Sequence, residues 1–178
     1  MNLGKFITLH GTPLRRPGGK DGIYEWIERK PAVLILPVTA KKEVLLIRNY
    51  RLPLDQDVLE CPAGLMDKEN EKPEDAARRE LREETGYESS DIRPLARWPY
   101  RAACSNGILT AFLACGCTLA GTQNLDPDEK IKVQKVSVAN FENYLLREIE
   151  NPYNLLVSIE LLALWRIALD RYWHVFQK

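Results

Sequence analysis

Pro73-Glu74-Asp75-Ala76-Ala77-Arg78-Arg79-Glu80-Leu81-Arg82-Glu83-Glu84-Thr85-Gly86-Tyr87 is the stretch on which the reading of this chain turns. Pro73 suits the first position of a helix, Glu74 and Asp75 suit its partly positive N-terminal end, and Gly86 is placed to close it in the left-handed conformation. One helix of about three turns follows. Glu80 stands three residues from Glu83 and four from Glu84, so three carboxylates share one face, while Ala77 and Leu81 fall on another that can be buried. Like charges so placed repel by about 0.2–0.5 kcal/mol per pair on a solvated helix, and Arg79 and Arg82 offset them only in part. The spacing alone fits a salt-bridged solvent face as well as a face that gathers carboxylates for use.

Upstream stand Glu60-Cys61-Pro62-Ala63-Gly64-Leu65-Met66-Asp67 and, eight residues before Arg79, Glu71. Together with the helix they form a pattern that resembles the signature of the Nudix hydrolases: Gly, five residues, Glu, seven residues, Arg-Glu, an aliphatic residue, any residue, Glu-Glu, any residue, Gly and an apolar residue. From Arg79 to Tyr87 the match is position by position. Six residues rather than five separate Gly64 from Glu71. The extra one falls in the polar stretch Asp67-Lys68-Glu69-Asn70, where lengthening a loop costs little and the helix register is kept. The departure bears on Glu71, which in the family orients the helix carboxylates. Lys72 is also a poor N-cap where Ser or Thr is expected.

With 178 residues, 45% of them hydrophobic, the chain is long enough for one well-buried domain, or one domain plus a small appendage, in preference to two separate cores. The expected division is a β-rich extension over residues 1–30 and a main domain over 31–178. Lys plus Arg and Asp plus Glu each number 25, so no overall basic field collects nucleic acid, and an anionic ligand must be held by local charges. Cys61, Cys104, Cys115 and Cys117 lack metal-ligand spacing and read as reduced core thiols, with Cys115 and Cys117 on one face of a strand. No N-terminal signal and no apolar run of about 18 residues is present, so a cytoplasmic protein without a membrane partner is expected.

In chain order, Lys5 to His10 and Gly22 to Lys30 alternate as strands around a turn at Pro13 to Asp21. Tyr24 and Trp26 then share a strand face, which fits packing as well as base stacking. Ala32 to Val38, almost continuously apolar, reads as a strand buried on both faces, joined by Thr39 to Glu43 to a second strand, Val44 to Tyr50. Asp57 to Cys61 is a short strand, Ile92 to Tyr100 and Ile108 to Leu119 an antiparallel pair, and Ile131 to Val138 an alternating strand that follows the acidic loop Thr122 to Lys130. Ala139 to Glu150 reads as a helix with Asn140 a candidate cap, and Tyr153 to about Phe176 as a longer one. In it Leu155, Ile159, Leu162, Trp165 and Leu169 recur at helical spacing, as core or interface packing requires, and His174 lies on the surface.

Further residues take meaning from the resemblance. Asn49-Tyr50-Arg51-Leu52-Pro53 is similar to the Gln-Tyr-Arg-x-Pro element of the ADP-ribose and nucleoside diphosphate sugar hydrolases. Arg51 matches its arginine, and a guanidinium can fork onto two phosphate oxygens. The resemblance implies that the Ala63 carbonyl joins a metal shell, in keeping with the oxygen ligands that Mg²⁺ takes at about 2.0–2.1 Å. It also implies that Glu129 stands where related enzymes carry a general base, with Asp128 a near competitor and an ordinary solvated turn the alternative. In the ADP-ribose group the N-terminal strands are exchanged across a homodimer and carry aromatics that sandwich adenine, which would fall to Tyr24 and Trp26. Arg101 opens the loop where that group carries a Pro-Gly pair; here the counterparts are Ala102-Ala103-Cys104-Ser105-Asn106, without the proline that marks ADP-ribose specificity.

The implied fold is an α/β class Nudix α/β/α sandwich around a mixed sheet, with a small N-terminal β extension. The implied activity is metal-dependent cleavage of the diphosphate linkage of ADP-ribose or a related nucleoside diphosphate sugar, giving a nucleoside monophosphate and a sugar phosphate, with Mg²⁺ or Mn²⁺. Glu80 and Glu84 would be the principal ligands, Glu83 a bridging ligand or base, Arg79 an orienting group, Arg51 the diphosphate clamp, and Glu129 the alternative base. Two other readings stand beside it. The missing proline favours a nucleoside diphosphate hexose such as GDP-mannose. A Nudix-fold module that binds a nucleotide without cleaving it has no need of the complete Arg79 to Gly86 run.

Overall fold

Ala32-Val33-Leu34-Ile35-Leu36-Pro37-Val38 is apolar throughout because its side chains alternate between two cores instead of between core and solvent. Val33 and Ile35 point to one face of a central sheet, Leu34, Leu36 and Val38 to the other. The computed structural model describes residues 7–150 and 156–177. Its elements are β1 (Ile7–Arg15), β2 (Asp21–Arg29), β3 (Ala32–Thr39), β4 (Glu43–Arg51), β5 (Gln56–Glu60), β6 (Ala63–Leu65), α1 (Pro73–Thr85), β7 (Tyr87–Glu88), β8 (Asp91–Pro99), β9 (Ile108–Leu119), β10 (Ile131–Ser137), α2 (Phe141–Glu150), β11 (Leu156–Val157) and α3 (Ile159–Phe176).

The main sheet runs β11-β5-β4-β3-β9-β7, with β10 on β4, β6 on β3 and β8 on β9. It is mixed: β3 with β9 and β5 with β11 are parallel, the other pairs antiparallel. On one face α1 seats Ala76, Ala77 and Leu81 against Val33, Ile35, Leu45 and Phe112. On the other, Phe141 and Leu145 of α2 and Leu161, Leu164 and Trp165 of α3 cover Leu34, Leu36, Leu46 and Leu113. This is the expected α/β/α sandwich. Each fully buried Leu or Phe contributes about 1.5–3 kcal/mol, so burial of Ala77 and Leu81 fixes the rotation of α1 and with it the direction of its carboxylates. No helix among the described residues is long and apolar enough to cross a membrane.

β1 and β2 form a separate two-stranded sheet in register from Ile7↔Arg29 to Arg15↔Asp21. It is tied to the loop after β8 by the Ile27 N–H on the Cys104 carbonyl at 2.8 Å and the Arg29 N–H on Asn106 Oδ1 at 2.9 Å.

The structure corrects four local expectations. The first strand continues through Pro13 to Arg15, because an edge strand tolerates proline, so the turn shrinks to residues 16–20; Lys5 and Phe6 lie outside the described residues. Asn140 is not a cap but part of a 3₁₀ turn, Val138–Asn140, that runs directly into α2. The last helix starts at Ile159, since Leu156 and Val157 pair with Val58 and Leu59 as a sheet strand; Tyr153 to Leu155 lie outside the described residues. Cys115 and Cys117 face opposite cores, because Gly116 (φ +63°) inserts a bulge between them.

Candidate active site

The box loop and α1 meet at a close approach that only glycine permits. A Cβ on Gly64 would lie 2.0 Å from Glu80 Cδ and 2.1 Å from its Oε1, so the backbone of β6 rests directly on the Glu80 carboxylate. The preceding Ala63 N–H donates to Glu84 Oε2 at 2.8 Å. α1 begins without a side-chain cap at Lys72, relying on Pro73 and the acids of its first turn. It ends at Gly86 (φ +76°), where a Cβ would meet the Gly121 carbonyl at 2.3 Å.

Arg79 is the hub. Its Nε and Nη2 donate to the two oxygens of Glu71 at 2.8 and 3.0 Å, Nη2 also to the Leu65 carbonyl at 3.0 Å, and Nη1 to Glu83 Oε2 at 3.0 Å and to Glu80 Oε1. Glu71 therefore reaches its place despite the longer loop. Asn70 takes a left-handed conformation (φ +58°) immediately before it, and Asn tolerates that region better than most residues.

Burial and mutual repulsion govern the charges. Glu80, 8% exposed, has its carboxyl pushed up to about 7, first by burial, against the pull of Arg79 and with added repulsion from Glu83 and Glu129. Glu84, 2% exposed, is raised well above the usual range, again first by burial, opposed by the Ala63 N–H and reinforced by Glu80 and Glu129. Glu71 is held below its ordinary range by the hydrogen bonds from Arg79. The neighbouring Cys61 thiol is fully buried and pushed far up, which makes it an inert core group.

The loop that carries Glu129 is stitched to the end of α1; Glu129 lies within electrostatic reach of Glu80 and Glu84, while its Oε2 accepts the Asp126 N–H at 3.0 Å. The Asn124 N–H donates to the Glu83 carbonyl at 2.8 Å, Gln123 Nε2 to the Glu84 carbonyl, and Arg82 Nη1 to the Thr122 carbonyl at 3.2 Å. Arg51 extends from the end of β4 near Glu84, forked onto Glu60. Tyr24, Trp26 and Arg101 stand apart, on the hairpin and the loop after β8. Tyr24 donates to the Ala103 carbonyl, Trp26 Nε1 donates to Thr12 Oγ1 at 2.9 Å and stacks on His10 at 4.3 Å, and Arg101 lies over the Tyr100 ring at 6.0 Å. Among the described residues no hydrogen bond or ion pair joins these three to the carboxylates.

Among the described residues no three His, Cys, Asp or Glu side chains converge as a ready ligand set. Arg79 draws Glu80 and Glu83 aside, and the Ala63 N–H holds Glu84. The donor chemistry nevertheless fits a hard divalent cation, since every available ligand is an oxygen and two buried carboxylates repel each other without one.

Sequence reasoning missed Glu60, Gln123 and the Leu65 carbonyl. For Glu60 a signal existed: alternation along paired strands puts Arg51 and the partner of Glu60, Ile47, on one face.

The NUDIX domain pattern matches residues 28–156. The ADP-ribose pyrophosphatase of Bacillus subtilis is 32% identical over 136 residues, which span 76% of this chain and 73% of that protein. The ADP-sugar pyrophosphatase of Mus musculus is 36% identical over 124 residues, covering 62% and 56%. A solved structure described as an ADP compounds hydrolase superposes with a TM-score of 0.76 at 21% identity, over 96% of this chain and 88% of its own, and shares the fold.

Proposed function

We propose, from the premise that this chain belongs to the Nudix family and is a Nudix pyrophosphatase, that it cleaves the diphosphate linkage of ADP-ribose to AMP and ribose 5-phosphate with the aid of Mg²⁺, for which Mn²⁺ can substitute. The observation that carries this reading is the pair of buried carboxylates, Glu80 and Glu84, set against the Ala63-Gly64 backbone and within electrostatic reach of Arg51.

Glu80, Glu84 and the Ala63 carbonyl would hold the metal, with Glu83 either a bridging ligand or the base. A divalent cation so held would neutralise phosphate oxygens and acidify water. Arg51 would clamp the diphosphate. Water attacks one phosphorus, the bridging P–O bond breaks, and the proton passes to Glu83 or Glu129. Glu83 is half-buried, more open to solvent than the buried pair beside it, which suits it to meet a water. Arg79 would act by orienting Glu80 and Glu83.

Tyr24, Trp26 and Arg101 would contact the nucleoside side of the substrate across a homodimer. The exposed Leu9 and Ile23 on one face of the hairpin support a second copy as its cover. Ala102-Ala103 in place of the Pro-Gly pair favours a second substrate reading, a nucleoside diphosphate hexose such as GDP-mannose. A turnover screen of ADP-ribose against ADP-, GDP- and UDP-hexoses with Mg²⁺ and Mn²⁺ tests both. ADP-ribose is expected to lead; silence across the panel would leave the chain a nucleotide-binding module.

A further inference from the structure

Arg51 is pinned by a neighbour that the proposed chemistry does not use. Its Nε lies 3.0 and 3.3 Å from the two Glu60 oxygens and its Nη2 2.7 Å from one of them, a fork on a single edge of the guanidinium. Glu60 pairs with Ile47 in the β4–β5 ladder, so Arg51, four residues further along the same face, folds its side chain back along the strand to reach it. The Glu60 side chain is 19% exposed and that of Arg51 44%. A mostly buried carboxylate thus anchors a half-exposed cation.

The contact consumes the Nε hydrogen and one Nη2 hydrogen. The second Nη2 hydrogen and one Nη1 hydrogen remain on the far edge, which is the fork that matches two phosphate oxygens. An unanchored arginine must surrender its rotamer freedom when substrate arrives, whereas an anchored one has already done so. Glu60 is also three residues ahead of Ala63, so the anchor and the carboxylate cradle share one short run of backbone.

We propose that Glu60 is the positioning residue for Arg51, holding its free edge toward the substrate diphosphate. The inference rests on the proposed diphosphate hydrolysis.

The test is a double-mutant cycle of Glu60→Gln and Arg51→Ala, with Glu60→Asp as the conservative variant and thermal midpoints recorded for each, on whichever substrate the wild type turns over fastest with Mg²⁺. Glu60→Gln is expected to raise KM about tenfold with kcat within about twofold, because it removes binding preorganisation and not chemistry. In the Arg51→Ala background the same change should cost nothing further, and Glu60→Asp should recover part of the loss. Losses that add across the cycle, a fall in kcat alone, or an unchanged or lowered KM for Glu60→Gln would overturn the inference while leaving the hydrolase reading intact. A wild type silent on the whole panel would overturn both.

Discussion

Gly64→Ala perturbs the closest approach in the site and little else. The added Cβ would stand 2.0 Å from Glu80 Cδ and 2.1 and 2.4 Å from its oxygens. Non-bonded carbons settle at about 3.5–4.0 Å, so the carboxylate must retreat by about 1.5–2 Å. What the methyl meets is the far end of a flexible side chain, and the protein can yield by swinging Glu80 off its rotamer at about 0.5–1.5 kcal/mol. Gly64 is not among the glycines with positive φ, so alanine suits its backbone and returns about 0.4–1 kcal/mol by stiffening the unfolded chain. Stability should therefore stay within about 1 kcal/mol of wild type. Activity should not: a displacement of about 1 Å at a reacting centre costs on the order of 10²-fold, or about 2.7 kcal/mol of barrier. The assay is kcat/KM with saturating Mg²⁺ beside a thermal melt. A folded Gly64→Ala protein within about threefold of wild-type kcat/KM would refute the reasoning.

Three further outcomes are expected. Glu71→Gln takes away the charged partner whose two oxygens grip the Nε–Nη2 edge of Arg79, so it should cost about 1–3 kcal/mol in denaturant unfolding and lower kcat through misplaced Glu80 and Glu83; an unchanged unfolding midpoint would contradict the hub role. Gly86→Ala forces a side chain into a left-handed φ of +76° and against a backbone carbonyl, which should destabilise by about 1–3 kcal/mol in the same measurement. In chelator, stability should fall as pH rises. Between the unfolded value of 4.5 and the folded value of about 7, the folded Glu80 keeps a proton that the unfolded chain has released, a difference on the order of 3 kcal/mol that is lost in full above pH 7. Saturating Mg²⁺ should flatten that slope, since cation and proton compete for the carboxylates; melts that are pH-independent in chelator would rule it out.

α1 was legible because everything that makes it a helix is local: Pro73, the acids of its first turn, the buried Ala77–Leu81 stripe and Gly86. β3 was legible because unbroken apolarity has one common cause in a short strand, cover on both faces. Features that depend on a distant partner were not. The opposite facing of Cys115 and Cys117 comes from a bulge seen only in the pairing of β9 with β3, and β11 exists because β5 offers a free edge to two residues. At the site, the carboxylate face could be read from spacing. The closure of Glu71 onto Arg79 depended on how the loop spends its extra residue at Asn70, and the Arg51–Glu60 fork on strand register.

The most direct test is Glu84→Gln with saturating Mg²⁺. Glutamine keeps the size of the side chain and an oxygen for the Ala63 N–H, so the fold should hold while the negative charge is gone. The expected result is a kcat lower by at least about 10³-fold on the best substrate, with a thermal midpoint in chelator equal to or above that of wild type, since a buried, repelled carboxylate has been removed. Turnover at the wild-type rate would contradict the claim that this helix holds the catalytic cation.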